Sequence, residues 1–484
     1  MGKIKRLAGE TVLYGLGSIV PRFINFLLVR LHTDDAVFAP EEYGVITKLL
    51  AYTAVVNIIF LFGMETAYFR FATKSGADEK RVFNLTQTIV LLISITLSVI
   101  FIVFADSIAT MINIPGKGNY IIYLAVIMLV DAAVAIPFAR LRLQKKALLF
   151  AIGKLVNVGL LVGLNVYFLL FAFDPEVGVA YVFIANLIAN AFYLFFFAKV
   201  LAQFRPAWDT SVSRAMFVYG YPVMLTGLAG MTNEMFSRLT LEEWLPPGFY
   251  GEKSADFALG VFGACYKLAM LMSLVVTAFR YAAEPFFFSN ASDKNSPELF
   301  ARINHYFVIV CCLLLLGVSI NLDIFKYFLG DEQYWEGLHI VPILLLAYLF
   351  LGVYYNFSVW FKLTDKTYWG TVITIVGAVV TIAANYFLIP LYGYEGSSWA
   401  TLLCYVSMTV LSYLLGQKYF PIPYNLASSL TYIAVTCLLV YFINRMPIAN
   451  AWLASSFHVL VITVFTLIIF FVERKSFRQK SGVI

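Results

Sequence analysis

Charged residues are scarce in this sequence. Only 13% of its 484 positions are Asp, Glu, Lys or Arg, roughly half the share of a soluble domain, while 61% are hydrophobic and the mean hydropathy is +0.83. That shortage leaves no room for a separate soluble domain of usual size between the apolar runs. Histidine is scarcer still: His32, His305, His339 and His458 are scattered without metal-ligand spacing, so no metal site is expected. The five cysteines, Cys265, Cys311, Cys312, Cys404 and Cys437, all lie inside apolar runs and read as free packing residues rather than a disulfide framework. No catalytic motif is visible. The chain is therefore read as an all-α polytopic membrane protein and not an enzyme, with no cofactor and no nucleic-acid partner.

What is present is organised around the run from Glu10 to Arg30, which has membrane-spanning length yet carries Pro21, Arg22 and Asn25 near its middle. An arginine near the centre of a spanning helix costs roughly 2.5 to 3.5 kcal/mol on insertion scales, so something must repay it. Gly15, Ser18, Arg22, Asn25 and Val29 recur at spacings of three and four, which puts them on one helical stripe, while Leu13, Ile24, Leu27 and Leu28 face away toward lipid. That stripe reads as the wall of a polar cavity. The preceding residues, basic through Lys3, Lys5 and Arg6, resemble the start of a signal peptide, but the run is too long, contains an arginine and lacks a cleavage site. It is expected to be a retained first helix.

Apolar runs separated by charged or turn-rich breaks give fourteen candidate spans: 10–30, 43–64, 84–105, 119–139, 147–172, 178–199, 214–241, 257–282, 303–325, 337–361, 368–390, 396–416, 426–444 and 452–472. The distribution of basic residues tests this count, because a missed span would scramble it. Alternate loops hold 24 of the 34 basic residues, among them Lys80, Arg81, Arg140, Arg142, Lys362 and Lys366, and the opposite loops are mostly acidic, as at Asp34, Asp35, Glu41 and Glu42. Both termini are accordingly expected on the cytoplasmic side. All seven tryptophans fall near proposed span ends, as interfacial anchors should. A weak repeat pairs Tyr14-Gly15 with Tyr219-Gly220 and the stretch Thr66–Ala72 with Thr277–Ala282. Six helices separate the copies, so the halves share an orientation and relate by an axis along the membrane normal. The expected units are an N-lobe over 1–205, a C-lobe over 206–420, and two appended helices with a tail over 421–484. Pro21, Pro137, Pro222 and Pro342 are expected to kink their helices, and Gly159 and Gly163 to mark a close helix contact.

The sequence resembles the Wzx-like polysaccharide transporters of the MOP flippase superfamily through Tyr14-xx-Gly17, Pro40-Glu41-Glu42-Tyr43-Gly44, and Phe62-Gly63 running to Arg70-Phe71. Together with the fourteen-span layout, this resemblance covers nearly the whole chain. It implies a MATE-like fold of about 14 helices in two lobes around a central cavity, in the bacterial inner membrane. It also implies transport of undecaprenyl-pyrophosphate-linked oligosaccharides from the cytoplasmic to the periplasmic leaflet by alternating access. The implied partners are the lipid-linked oligosaccharide, membrane lipid, and polysaccharide polymerase or assembly proteins.

A pyrophosphate-linked sugar cannot enter hydrocarbon without losing water from its charges and hydroxyls, and a cationic cavity lowers that barrier. The candidate substrate ligands are Arg22, Asn25 and Lys267 within spans, and Arg30, Lys48, Arg70 and Arg238 near span ends. Arginine suits phosphate because its guanidinium binds two oxygens at once. Arg238 has an alternative, an intrahelical bridge to Glu234, and Lys154 reads as snorkelling. Asp131 and Glu234 are intramembrane carboxylates and hence candidates for proton or sodium coupling. Three competing readings remain: a lipid II flippase, a MATE-like exporter of cations, and a membrane glycan polymerase. The balance of deep cations over acids disfavours the exporter, and the short acidic loop at 242–256 disfavours the polymerase.

Overall fold

Without water in the hydrocarbon, backbone amides and carbonyls must pair within their own segment, and this chain meets that demand with helices alone. The computed structural model describes residue 17 and residues 19–24, 26–290, 295–446 and 450–481, and among these no strand occurs. The helix α1 occupies the described residues from 17 to 32. It is followed by α2 (Pro40–Leu61), α3 (Met64–Ala72), α4 (Glu79–Val103), α5 (Ala105–Met111), α6 (Gly118–Leu143), α7 (Ala147–Leu170), α8 (Ala180–Phe196) and α9 (Ala198–Ala202). The second half contains α10 (Thr210–Trp244), α11 (Ala255–Ser289), α12 (Ser296–Ser319), α13 (Leu322–Phe325), α14 (Val341–Phe357), α15 (Val359–Leu363), α16 (Tyr368–Tyr419), α17 (Leu426–Ile443) and α18 (Ala451–Ser481).

Each expected span has a helix among the described residues, the first from residue 17 onward, with Tyr14, Gly15 and Ser18 outside them. Ten helices among the described residues are long and apolar enough to cross a membrane, with α2 and α3 counted together. Beyond the ten, α8 is a shorter apolar helix, and one of the ten, α16, supplies two spans. Its 52 residues break at Gly393, where φ is 54° and ψ is −133°, values open chiefly to glycine. The two halves of α16 fold back on each other there, which brings Gly377 against Met408.

The loops gather at two ends in the alternation the charges require. At the acidic end Phe38 meets Phe173, Asn113 Nδ2 donates to Glu243 Oε1 at 2.8 Å, and Lys253 pairs with Glu336. At the basic end Arg81 pairs with Asp209 at 2.8 Å, Arg140 with Glu79 at 2.9 Å, and Lys362 with Glu284. Asp209 also caps α10. Hydrogen bonds from Ser211 and the Val212 amide, with Arg81 beside it, hold its carboxyl below the usual range.

The two halves meet along α2, which packs against both α10 and α11. Near the acidic end a methyl group on Gly260 would fall on the Pro40 carbonyl, and one on Gly44 would fall on the Asp256 carbonyl, so α2 and α11 touch backbone to backbone. Beside them Lys48, only 2% exposed, pairs with Glu242 and, at 3.0 Å, with Asp256. The segment between α12 and α14 is not a simple loop. Its short helices seat Tyr334 against Tyr43, Phe328 on Phe26 and Gly330 on Thr33, which closes the acidic end further.

Some local expectations are corrected. Pro342 sits in the first turn of α14, where its missing N–H costs no bond, so it makes no kink; Pro137 and Pro222 do lie inside helices. Gly159 and Gly163 have nothing within 4 Å of a Cβ position, so their stripe faces outward rather than a neighbouring helix. Trp360 is no interfacial anchor: it is 1% exposed and donates to the Ser412 carbonyl. The last two helices, α17 and α18, pack on the outer face of α12 through Ile309, Leu316, Val440, Ile443, Phe465 and Ile469.

Removing one partner from a buried ion cluster strands the other charges. Lys48→Met is therefore expected to cost about 3 kcal/mol, measured as a lowered midpoint of thermal unfolding in detergent. Gly260→Ala should push α2 from α11, and a longer distance between spin labels at Ala39 and Lys253 would report that separation.

Candidate functional site

Between the two halves lies a cavity of about 180 Å³, lined by residues of α1, α2, α7, α8, α10 and α11. Its charged wall comes from α10 and α11, where Glu234, Arg238 and Lys267 face one space with Met235, Tyr266 and Met270. Glu234 and Arg238 are one turn apart on α10, so their side chains share a face. They do not form an ion pair. The Arg238 guanidinium instead lies over the Tyr266 ring at 3.9 Å, and Tyr266 is itself hydrogen-bonded to the Tyr348 hydroxyl. A stacked arginine keeps its donor fork directed by the ring, which orders it for an anion. Glu234 lines the same cavity as Tyr266 and Lys267.

The opposite wall carries no formal charge. Thr47 and Tyr43 project from α2, Asn165 from α7 and Asn186 from α8, and His32 comes from the end of α1. His32 Nε2 and Asn165 Oδ1 are 2.9 Å apart, and Asn165 Nδ2 donates to the Leu161 carbonyl at 2.8 Å.

Of the candidate ligands, then, Arg238 and Lys267 share one cavity, and Glu234 joins them. Arg22, expected in the cavity wall, is exposed and does not line the cavity. Arg280 lies over the Tyr355 ring at 4.7 Å. Asn25 lies outside the described residues. The others are elsewhere. Lys48 is held in its carboxylate pair, Arg30 Nη1 donates to the Leu329 carbonyl at 3.0 Å, and Arg70 lies over Tyr219 at 4.3 Å on the exposed surface of α3. Asp131 is half-buried, outside the cavity lining, between α6, α7 and α8. It accepts from Asn190 at 3.0 Å, Asn190 accepts from Asn157 at 3.0 Å, and Lys154 lies over Phe138 at 4.2 Å.

The residues the sequence reading passed over are His32, Asn165, Asn186 and Tyr266. Each is a polar group inside or beside an apolar run, the same signal that singled out Asn25. It did not discriminate, because Asn157, Asn190, Asn233, Asn304, Asn356 and Asn385 sit in apolar runs too. Among the described residues no group of His, Cys, Asp and Glu could hold a metal ion.

A family model described as polysaccharide biosynthesis protein matches residues 37–319, more than half of the chain. The chain belongs to the polysaccharide biosynthesis protein family. Among curated proteins none matches this family member by sequence. Solved structures do match it in shape. The lipid II flippase MurJ in an inward closed conformation superposes with a TM-score of 0.68 at 12% identity, over 95% of this chain and 99% of MurJ. An inward-facing multidrug resistance MATE transporter of the MOP superfamily gives 0.59 at 14% identity, over 86% of this chain and 97% of its own. The outward-facing conformation of such a MATE transporter gives 0.58 at 14% identity, over 86% and 95%. This member of the polysaccharide biosynthesis family thus has the two-lobed fold of the MOP transporters.

Glu234 opposes the cations beside it, so its charge sets how strongly the cavity attracts an anion. Glu234→Gln is expected to tighten binding of inorganic pyrophosphate several-fold at low salt, and Arg238→Gln to weaken it. Calorimetric titration of the purified protein, repeated at higher ionic strength to screen the effect, reads both.

Proposed function

We propose that this protein is a flippase for an oligosaccharide linked to undecaprenyl pyrophosphate, serving surface polysaccharide assembly. The single observation that carries the reading is the pairing of Arg238 and Lys267 in a cavity between the two halves of a transporter fold. With Glu234 the wall has a net formal charge of +1. A pyrophosphate carried through hydrocarbon needs such compensation, because its desolvation in a low-dielectric medium is otherwise prohibitive. A cavity built for cationic drugs would need the opposite sign.

In this reading the basic end faces the cytoplasm, both termini lie there, and the membrane is the bacterial inner membrane. The N-lobe comprises residues 1–205, the C-lobe 206–420, and the remainder the two appended helices and tail. The closed acidic end then faces the periplasm, and the headgroup reaches the cavity from the basic side past Arg22. Arg70 meets it at the cytoplasmic surface. Outward release requires α2 to leave α10 and α11, which separates Lys48 from Glu242 and Asp256. Arg30 must likewise leave the Leu329 carbonyl. Glu234 is the coupling group best placed to sense substrate, since protonation or sodium binding there raises the positive charge of the wall from +1 to +2. Asp131 is a second coupling candidate, remote from the substrate. Polysaccharide polymerase or assembly proteins would receive the product. Lipid II carries the same pyrophosphate, and the fold shared with MurJ keeps it as the second substrate reading.

The test is transbilayer movement of an undecaprenyl-pyrophosphate oligosaccharide in proteoliposomes, with a cationic dye in parallel. Wild type should move the glycolipid and not the dye. Arg22→Ala and Arg238→Ala should each slow it about tenfold or more, as expected for loss of a charge-assisted hydrogen bond. Movement of the dye alone would overturn the reading.

A further inference from the structure

The two walls of the cavity differ in kind. All three of its formally charged side chains, Glu234, Arg238 and Lys267, come from α10 and α11, and none comes from α1, α2, α7 or α8. The N-terminal half supplies neutral donors and acceptors instead: Asn165, Asn186, His32, Thr47 and Tyr43. We propose that Asn186 and the His32–Asn165 pair recognise hydroxyl groups of the sugar attached directly to the pyrophosphate, an inference that rests on the transport reading above.

Helix packing does not account for Asn186. One turn further along α8, Asn190 is engaged with both Asp131 and Asn157, and Asn157 also donates to the Ala189 carbonyl, so those amides hold helices together. Asn186 lines the cavity, half-buried, and makes no hydrogen bond to any described residue. Its amide therefore offers two donors and an acceptor to the space in front of it. Asn165 is different but complementary. Its bonds to His32 and to the Leu161 carbonyl fix the orientation of its amide and of the imidazole at the cavity wall.

Neutral amides beside aromatic and hydroxyl groups match sugars, whose hydroxyls donate and accept at once. On phosphate, which only accepts, an amide could use its N–H donors alone and its oxygen would go unused. A headgroup whose phosphates lie against Arg238 and Lys267 must place its next group across the same small cavity, within reach of the opposite wall. That next group is the first sugar. A glycolipid bound this way bridges the two halves of the protein, whereas a bare pyrophosphate lipid is held by one half only. Recognition of the first sugar, rather than of the distal glycan, follows from the size of the cavity.

The experiment compares binding of two probes to the full chain in lipid nanodiscs: undecaprenyl pyrophosphate bearing one hexose, and undecaprenyl pyrophosphate alone. Wild type should prefer the sugar-bearing lipid. Asn186→Leu and Asn165→Leu should each lower the ratio of the two affinities by about tenfold, and Asn186→Gln should restore part of it. Arg238→Ala should lower both affinities and leave the ratio intact. Thermal unfolding of each variant identifies any that fail to fold, and Asn186→Ser, with a smaller polar side chain, then serves in place of the leucine variant. A ratio unaltered by Asn186→Leu, or a wild-type protein indifferent to the sugar, would overturn the proposal while leaving pyrophosphate transport standing. Failure of wild type to bind either lipid would instead bring down the transport reading, and this inference with it.

Discussion

Lys48 is the charge on which the closed arrangement depends. It is buried where α2 meets α10 and α11, and its ammonium has the carboxylates of Glu242 and Asp256 for partners and the Ile112 carbonyl at 3.4 Å. Such a cluster is costly to desolvate and costlier to break singly, so it makes a two-position contact rather than a gradual one. The backbone approach of Gly44 and Gly260 beside it supplies the shape, and the ion cluster supplies the specificity of register. The same contact that shuts the acidic end also holds α10 and α11 at the distance that forms the cavity below it.

Three of the polar systems in the interior differ in what they do. One closes the acidic end through Lys48, Thr33 and Arg30. A second ties α6, α7 and α8 together through Asp131, Asn190, Asn157 and Lys154. The third is the cavity itself, where Arg238, Lys267 and Glu234 are not consumed by ion pairs with one another. Of the three, this last leaves its charges available. That distinction separates cations that stabilise the fold from those that could meet a ligand, and it cannot be drawn from residue type.

Two of the motifs through which the sequence resembles the MOP transporters mark helix contacts, while Tyr14 of the third lies outside the described residues. Pro40 occupies the first turn of α2 and Glu42 caps it by accepting from the Ala39 amide at 3.0 Å; Gly44 is the close approach to α11. Phe62 and Gly63, both at positive φ, break α2 from α3 where Gly63 meets the Gly220 carbonyl. These residues speak to architecture and not to substrate, which is why the resemblance reached the fold more readily than the site.

The spans, their alternation and the two-ended distribution of charge were legible in the chain because each depends on local composition against a fixed bilayer thickness. Even the hairpin within α16 was readable as two runs parted near Gly393. Which cations share a space was not. Lys48, Arg30 and Arg238 look alike as basic residues near span ends, yet one is neutralised by two acids, one ties down a loop carbonyl, and one stacks on Tyr266 facing the cavity. Two of these fates depend on partners more than 190 residues away, Glu242 for Lys48 and Leu329 for Arg30. Periodicity reports which face of a helix is polar, but not which helix that face will meet. The sequence by itself determined an all-helical protein with many membrane-spanning segments. Only the tertiary structure decided that Arg238, Lys267 and Glu234 form one wall opposite Asn165 and Asn186, because that pairing arises from the packing of α7 and α8 across from α10 and α11.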